Sequence, residues 1–315
     1  MRLFLIKSHL QNLIKKLLLS SYISHQLMSP TIFSDIFLPV TLAIITLGLG
    51  LSISFEDIRN IVIKPFNVII GLVSQLILLP VIAFSIALTT NLDPEYAVGL
   101  VIIAVCPGGA TSNLVNYMIR GNVTLSLSIT ITNSLITVFT IPLITKIALN
   151  LFLSQDTMIH LSFMKTVMDI ALITVLPATI GVLLRRWNKN FAVKLENPLR
   201  YILPILLFIV YTGVIFFEKS ENGLDLSKFL YIFPFTIILN FLSMLAGFYF
   251  PGIFKLSKRD RFTIAIEVGL QNSTLGIFVA STLMDNYKMA LVPVVYGSFS
   301  FFSTWLAGYL AKRFL

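Results

Sequence analysis

Two short strings concentrate the polar chemistry of an otherwise apolar chain. The first is Cys106-Pro107-Gly108-Gly109-Ala110-Thr111-Ser112-Asn113; the second is Glu267-Val268-Gly269-Leu270-Gln271-Asn272-Ser273-Thr274. In the first, Pro107 has no amide donor and crowds the preceding turn, and two glycines follow, so a helix is expected to break there. Carbonyls and amides freed at membrane depth are tolerated only when buried in protein or lining a wet cavity. A kinked helix with small residues for close packing is the simpler alternative. Thr111, Ser112 and Asn113 straight after the break weigh against it.

In the second string Glu267 is the one acid set deep in an apolar stretch. Such a carboxylate is costly and usually marks an ion or substrate path; a structural Glu, protonated or paired with Arg, is the plainer reading. Gln271 and Asn272 favour the first. A hard cation such as sodium takes several oxygen ligands, and carboxylate, amide, hydroxyl and unwound backbone would supply them. Ser126, Thr130 and Ser134 are each four apart and share a helical face, although Thr124, Ser128 and Thr132 dilute the pattern. Hydroxyls of this kind often bond their own helix backbone. Gln75 fits interhelical glue and cation ligand equally well. The single Cys106 excludes an internal disulfide framework and reads as a small buried hydrophobe. The histidines (His9, His25 and His160) fall outside the apolar stretches, and neither a Gly-x-Ser-x-Gly elbow nor a His-Glu-x-x-His motif occurs, so the usual parts of an intramembrane enzyme are missing.

The elements that must position these residues follow from composition. The chain of 315 residues is 57% hydrophobic and 12% charged, against about 25% charged in soluble domains, so most of its surface faces something other than water. Apolar stretches at 36–55, 65–92, 96–119, 121–145, 164–184, 201–217, 229–254, 262–284 and 289–311 are read as nine membrane spans. They form one transmembrane domain, 35–315, after a basic segment, 1–34. That segment is either an amphipathic helix lying on the bilayer or a leader preceding a true start at Met28. The net charge of +9 does not imply nucleic acid, because Lys and Arg sit in short connections. Alternate connections carry Lys146, Lys165, Lys219, Lys228 and Lys288 on one side. The other side holds a larger set that includes Arg120, Arg185, Arg186, Arg259 and Arg261. That bias predicts an inner-membrane protein with a cytoplasmic C-terminus and an outside N-terminus. Nine spans divide as four, one and four, the parity of an inverted-topology repeat, and the third span of each group carries one of the two polar strings.

The strings Cys106-Pro107-Gly108-Gly109, Ser112-Asn113, Tyr117, Gly121-Asn122, Leu125-Ser126, Thr130, Glu267-Val268-Gly269 and Gln271-Asn272 resemble the signature segments of the bile acid:sodium symporter family, from about Ile36 to the C-terminus. The resemblance implies an all-α fold in which two broken helices cross within a core (approximately 64–150 and 229–312) that moves against a panel of the remaining helices. It implies a first sodium site of Ser112, Asn113, Ser126, Thr130 and Glu267. A second would comprise Gln75, Glu267, Gln271 and the carbonyls near Val268 and Leu270. Asn272, the Ala110–Thr111 peptide and Ser300 would face an organic anion, with no cofactor beyond the coupling ion. Some members have ten spans, and here the first is missing or replaced by the basic segment. Some carry a His-Asn pair in the last helix where this chain has Ser300 and Phe301, so the expected cargo is a bile acid-like anion or a smaller carboxylate such as a pantoate-like or keto acid. The expected activity is sodium-driven import by alternating access, with a proton-coupled antiporter using Glu267 as the near rival.

Overall fold

The computed structural model describes residues 36–54, 56–59, 65–153, 162–217 and 226–311. The basic segment 1–34, the histidines and Lys219 lie outside the described residues. Helices follow one another in the order α1 (Leu38–Ser52), α2 (Pro65–Thr89), α3 (Pro94–Val105), α4 (Ala110–Met118), α5 (Val123–Phe152) and α6 (Phe163–Trp187). They continue as α7 (Lys189–Phe217), α8 (Leu226–Ile253), α9 (Lys258–Gly269), α10 (Ser273–Leu283) and α11 (Tyr287–Ala311). Among the described residues, five helices are long and apolar enough to cross a membrane: α2, α5, α6, α8 and α11.

The exterior explains why such a chain needs a bilayer. On α5, Leu135, Phe139, Leu143, Ile147 and Leu151 are all exposed, and their spacing of four makes one continuous apolar stripe. A stripe of that length in water would be an aggregation surface; against acyl chains it costs nothing. The opposite face of α5 buries Ser126, Ile129, Thr130, Asn133, Thr137 and Ile141. By contrast, α3 is buried on every side from Tyr96 to Val105, as expected of a helix that is apolar all round. It packs against α5 and α11, while α8 packs against α9 and α11.

Helices α1, α6 and α7 pack on one another. Small residues let α1 and α6 approach closely: a Cβ on Gly50 would collide with the Ala178 carbonyl, and one on Gly181 would lie 2.6 Å from the Leu47 oxygen. A polar contact locks the pair. Residues 171–175 of α6 form a π-helical turn just before Pro177, and a proline offers no N–H to the carbonyl four residues back. That carbonyl belongs to Ile173, and Thr46 of α1 donates its hydroxyl to it at 3.1 Å. The same Leu-Pro step at Leu79-Pro80 follows a π turn over Ser74–Leu78 in α2. Gly181→Val is expected to destabilise the protein by about 2 kcal/mol through overpacking, read as a lower melting temperature in detergent. An unchanged melting curve would show that the α1–α6 contact is looser than described.

Two helices run further than their apolar stretches predict. α5 continues past Lys146 to Phe152, and α7 begins at Lys189 where a charged connection was expected. The early turns of α7 are amphipathic, with Ala192 and Leu199 buried against Leu51 of α1. Lys189 and Lys194 are exposed beside them, and the connection is itself helical.

Candidate functional site

Both polar strings are breaks between helices, and the two breaks meet. Between α3 and α4 the chain is extended at Cys106 and Gly109; between α9 and α10 it is extended at Leu270. Gly108 and Gln271 form an isolated antiparallel bridge, and the Asn272 amide donates to the Pro107 carbonyl at 2.8 Å. Each break thus satisfies backbone groups of the other, which answers the cost of unwinding in an apolar environment. Four helix ends gather at this crossing: the C-terminal ends of α3 and α9 and the N-terminal ends of α4 and α10.

Glu267 lies one turn before the break in α9 and is fully buried. Among the described residues its carboxylate has neutral partners on two other helices, α4 and α5. Ser126 donates to Oε1, Thr130 donates to Oε2 at 2.9 Å, and the Asn116 amide reaches Oε1 at 3.4 Å. Asn113 Oδ1 lies 2.6 Å from the Ser126 hydroxyl and 3.5 Å from that of Thr130. Ser126 and Thr130 each own one hydroxyl proton, yet each faces both the Asn113 oxygen and the carboxylate. The cluster therefore holds more oxygen lone pairs than protons to share among them, around one negative charge. Ser134, the third member of that α5 row, instead donates to the Thr130 carbonyl. The plain helix-backbone reading holds for Ser134 and not for Ser126 or Thr130.

Gln75 lies in the π turn of α2 and is buried. Its Nε2 donates to Gln271 Oε1 at 3.2 Å, and Gln271 Nε2 donates to the Val268 carbonyl at 2.7 Å. Gly108 sits between the two groups: a Cβ built there would be 2.8 Å from Glu267 Oε2, 3.3 Å from Ser112 Oγ and 3.5 Å from Gln75 Nε2. Ser112 is buried, with its hydroxyl donated to the Gly109 carbonyl at 2.7 Å.

On another side of the crossing a cavity of about 310 Å³ opens between the breaks and the α1–α6 pair. Pro107, Gly108 and Asn272 line it from the crossing, Ser134 and Thr137 from α5, and Thr46 and Thr174 from α1 and α6. Asn272 caps α10 through its Oδ1, which accepts from the Leu275 amide at 3.1 Å. Thr111 is half-buried beside Gly109. Ser300 is buried in α11, where its carbonyl accepts from Ser303, and it is not among the described lining of this cavity.

Several site residues have no counterpart in the sequence reading. Asn116, fully buried, bridges Ser126 and Glu267. It is four residues after Ser112 and so on the same face of α4, a signal that spacing could have given. The turn joining α4 to α5, with Arg120 at φ 62, is held to α9 by Thr263, Arg259 and Asp260. Asn122 N donates to Thr263 Oγ1 at 2.8 Å, Arg259 to the Gly121 carbonyl at 3.0 Å, and Asn122 Nδ2 to Asp260 at 2.7 Å. The end of α9 is anchored too. The Gly269 carbonyl accepts from Asn240 Nδ2 and Tyr296 OH, both at 2.7 Å.

A profile of the sodium bile acid symporter family matches residues 39–225, well over half of the chain. The chain belongs to this family. It is 29% identical over 293 residues to a Bacillus subtilis (strain 168) protein named uncharacterized sodium-dependent transporter YocS, covering 90% of this chain and 86% of the relative. It is 26% identical over 268 residues to the hepatic sodium/bile acid cotransporter of Rattus norvegicus, covering 85% and 71%. It is also 29% identical over 259 residues to the probable sodium/metabolite cotransporter BASS1, chloroplastic, of Arabidopsis thaliana, covering 82% and 62%. Family membership and the apolar helices make this symporter-family chain a multi-pass membrane protein.

Proposed function

We propose that this chain is a sodium-coupled symporter that imports a small organic anion by alternating access. The observation that carries the reading is the convergence of Glu267, Ser126, Thr130 and Asn113 where two broken helices cross, an oxygen-rich, negatively charged cluster without a cationic partner among the described residues. In this reading a first sodium ion takes Ser112, Asn113, Ser126, Thr130 and Glu267. A second takes Gln75, Glu267, Gln271 and the carbonyls of Val268 and Leu270. Helix C-terminal ends favour cations and N-terminal ends favour anions, and the crossing presents both. The ions would sit among the α3 and α9 ends, and the anion at the α4 and α10 ends, against Asn272 and the Ala110–Thr111 peptide. Ser300 would act from outside the cavity lining.

The cavity volume favours a small cargo. Ligand cavities span about 300–1,000 Å³, and this one lies at the lower end, with threonine hydroxyls and aliphatic carbons on its walls. A compact carboxylate suits it better than a steroid. Helices α1, α6 and α7 would form the panel and the remainder the core, with the cavity between them. Counting α3–α4 and α9–α10 each as one broken span gives nine crossings, arranged four, one and four as an inverted repeat. The C-terminus would then be cytoplasmic and the N-terminus outside, in the cell membrane. Sodium that ties the two breaks together would organise the anion site, and linkage makes that help reciprocal.

The test is melting of the purified protein in sodium against equal potassium, followed by a carboxylate screen in the more stabilising salt. Each sodium at 100 times its dissociation constant should add about 2.7 kcal/mol, and a cargo anion should stabilise further only when sodium is present. Equal melting in both salts, with uptake driven by a pH gradient, would replace sodium with the proton and leave Glu267 as a proton carrier.

A further inference from the structure

The arrangement around Gln75 carries a consequence for how the second sodium would load, resting on the symport reading above. Two of the oxygens assigned to that ion are already satisfied by amide protons: Gln271 Oε1 accepts from Gln75, and Val268 O accepts from Gln271. The Gln75 oxygen points elsewhere and has no hydrogen-bond partner. For Gln75 to offer that oxygen to a cation beside Gln271, its amide must turn over, and its NH₂ then points where the oxygen points now.

A pocket between α2, α3 and α5 is lined by Gln75, Pro80, Cys106, Asn133 and Thr140. Asn133 is fully buried, and both ends of its amide lack a partner, as does the Thr140 hydroxyl. Orphaned buried polar groups are destabilising, and these border one small space that does not admit a water molecule. Thr140 lies two helical turns beyond Asn133, on the same side of α5. The unpaired Asn133 amide oxygen can accept from an N–H, which an apolar residue of equal size cannot.

We infer that Asn133, backed by Thr140, is the partner that receives the Gln75 amide nitrogen when the Gln75 oxygen turns to the second sodium ion. Asn133 is a positioning residue: it touches neither ion nor cargo, and it acts through Gln75. Without sodium the Gln75 amide is held by Gln271 and Asn133 is unpaired; with sodium the bond to Gln271 is exchanged for one to Asn133.

The experiment is a sodium titration of the melting temperature at constant total salt, for the full chain and for Asn133→Leu and Thr140→Val. Asn133→Leu should raise the half-saturating sodium about three- to tenfold, the worth of one hydrogen bond, and flatten the titration. Its melting temperature in potassium should equal or exceed that of the unmodified protein, because orphaned polar atoms have been removed. Thr140→Val should shift the titration in the same direction by less, whereas Thr140→Ser should leave it unchanged. A parallel loss of stability in both salts would make Asn133 a plain structural brace and overturn the inference. So would an unshifted titration, and if Asn133→Leu does not fold, an unshifted Thr140→Val titration decides alike. The absence of any sodium-specific shift in the unmodified protein would instead sink the sodium reading itself.

Discussion

Replacing Glu267 with glutamine should abolish sodium-specific stabilisation and sodium-driven uptake while leaving the protein folded. The substitution keeps the size of the side chain and its reach to Ser126, Thr130 and Asn116, and it removes the only charge in the cluster. Both proposed ions share this carboxylate, so both should be lost together. Removing one partner of a buried charge pair costs about 3–5 kcal/mol, so sodium affinity should fall by roughly a hundredfold or more. The sign in sodium-free buffer is the informative part. There the buried carboxylate stands among neutral groups, and neutral replacement of a buried charge is often neutral or stabilising. The variant should therefore melt at or above the temperature of the unmodified protein in potassium, and show no further rise in sodium. A variant that keeps the sodium-dependent rise would place the ions away from Glu267. One that unfolds in both salts would make Glu267 structural.

How much of this was legible in the chain depended on whether the signal was local. The breaks were, because Pro107 with two glycines and Glu267 with Gln271 and Asn272 are costly in any apolar span. That the two breaks pair through Gly108 and Gln271 is a contact between distant segments that no local rule supplies; the resemblance implied only that the broken helices cross. The serine and threonine row on α5 shows the same limit. Ser126, Thr130 and Ser134 are equivalent by spacing, but only the first two donate to Glu267, while Ser134 donates to its own helix backbone. Asn240 and Tyr296 meet at the Gly269 carbonyl, yet they lie on different helices with no pattern linking them. Asn133 was hidden for another reason: its meaning lies in partners it lacks. The π turns at Ser74–Leu78 and Ala171–Val175 did leave a trace, since each is followed by Leu-Pro, and a missing amide proton is visible in sequence.

Gly108→Ala is the second substitution expected to have a large effect, and it separates geometry from charge. The alanine Cβ would stand 2.8 Å from Glu267 Oε2 and 3.3 Å from Ser112 Oγ, distances that require one of them to move. Glu267 cannot swing away cheaply, because Ser126 and Thr130 hold its two oxygens from α5. Gly108 cannot retreat easily either, since it is bridged to Gln271 and flanked by the Pro107–Asn272 hydrogen bond. Overpacking of this kind costs about 1–3 kcal/mol, and the whole strain falls on the carboxylate and the crossing. The carboxylate is kept, so a protein that needs only the charge of Glu267, as a proton carrier would, should still respond to pH. One that needs the carboxylate at a fixed distance from Ser112 and Asn113 should lose sodium binding by roughly tenfold to a hundredfold, the equivalent of that strain. Its anion response should fall in parallel, because Gly108 also lines the cavity. Sodium titration of the melting temperature, with and without a stabilising carboxylate, reads both effects in one series. Sodium binding preserved in Gly108→Ala would mean that the crossing opens to load its ions, and the site would then have to be sought in that opened arrangement.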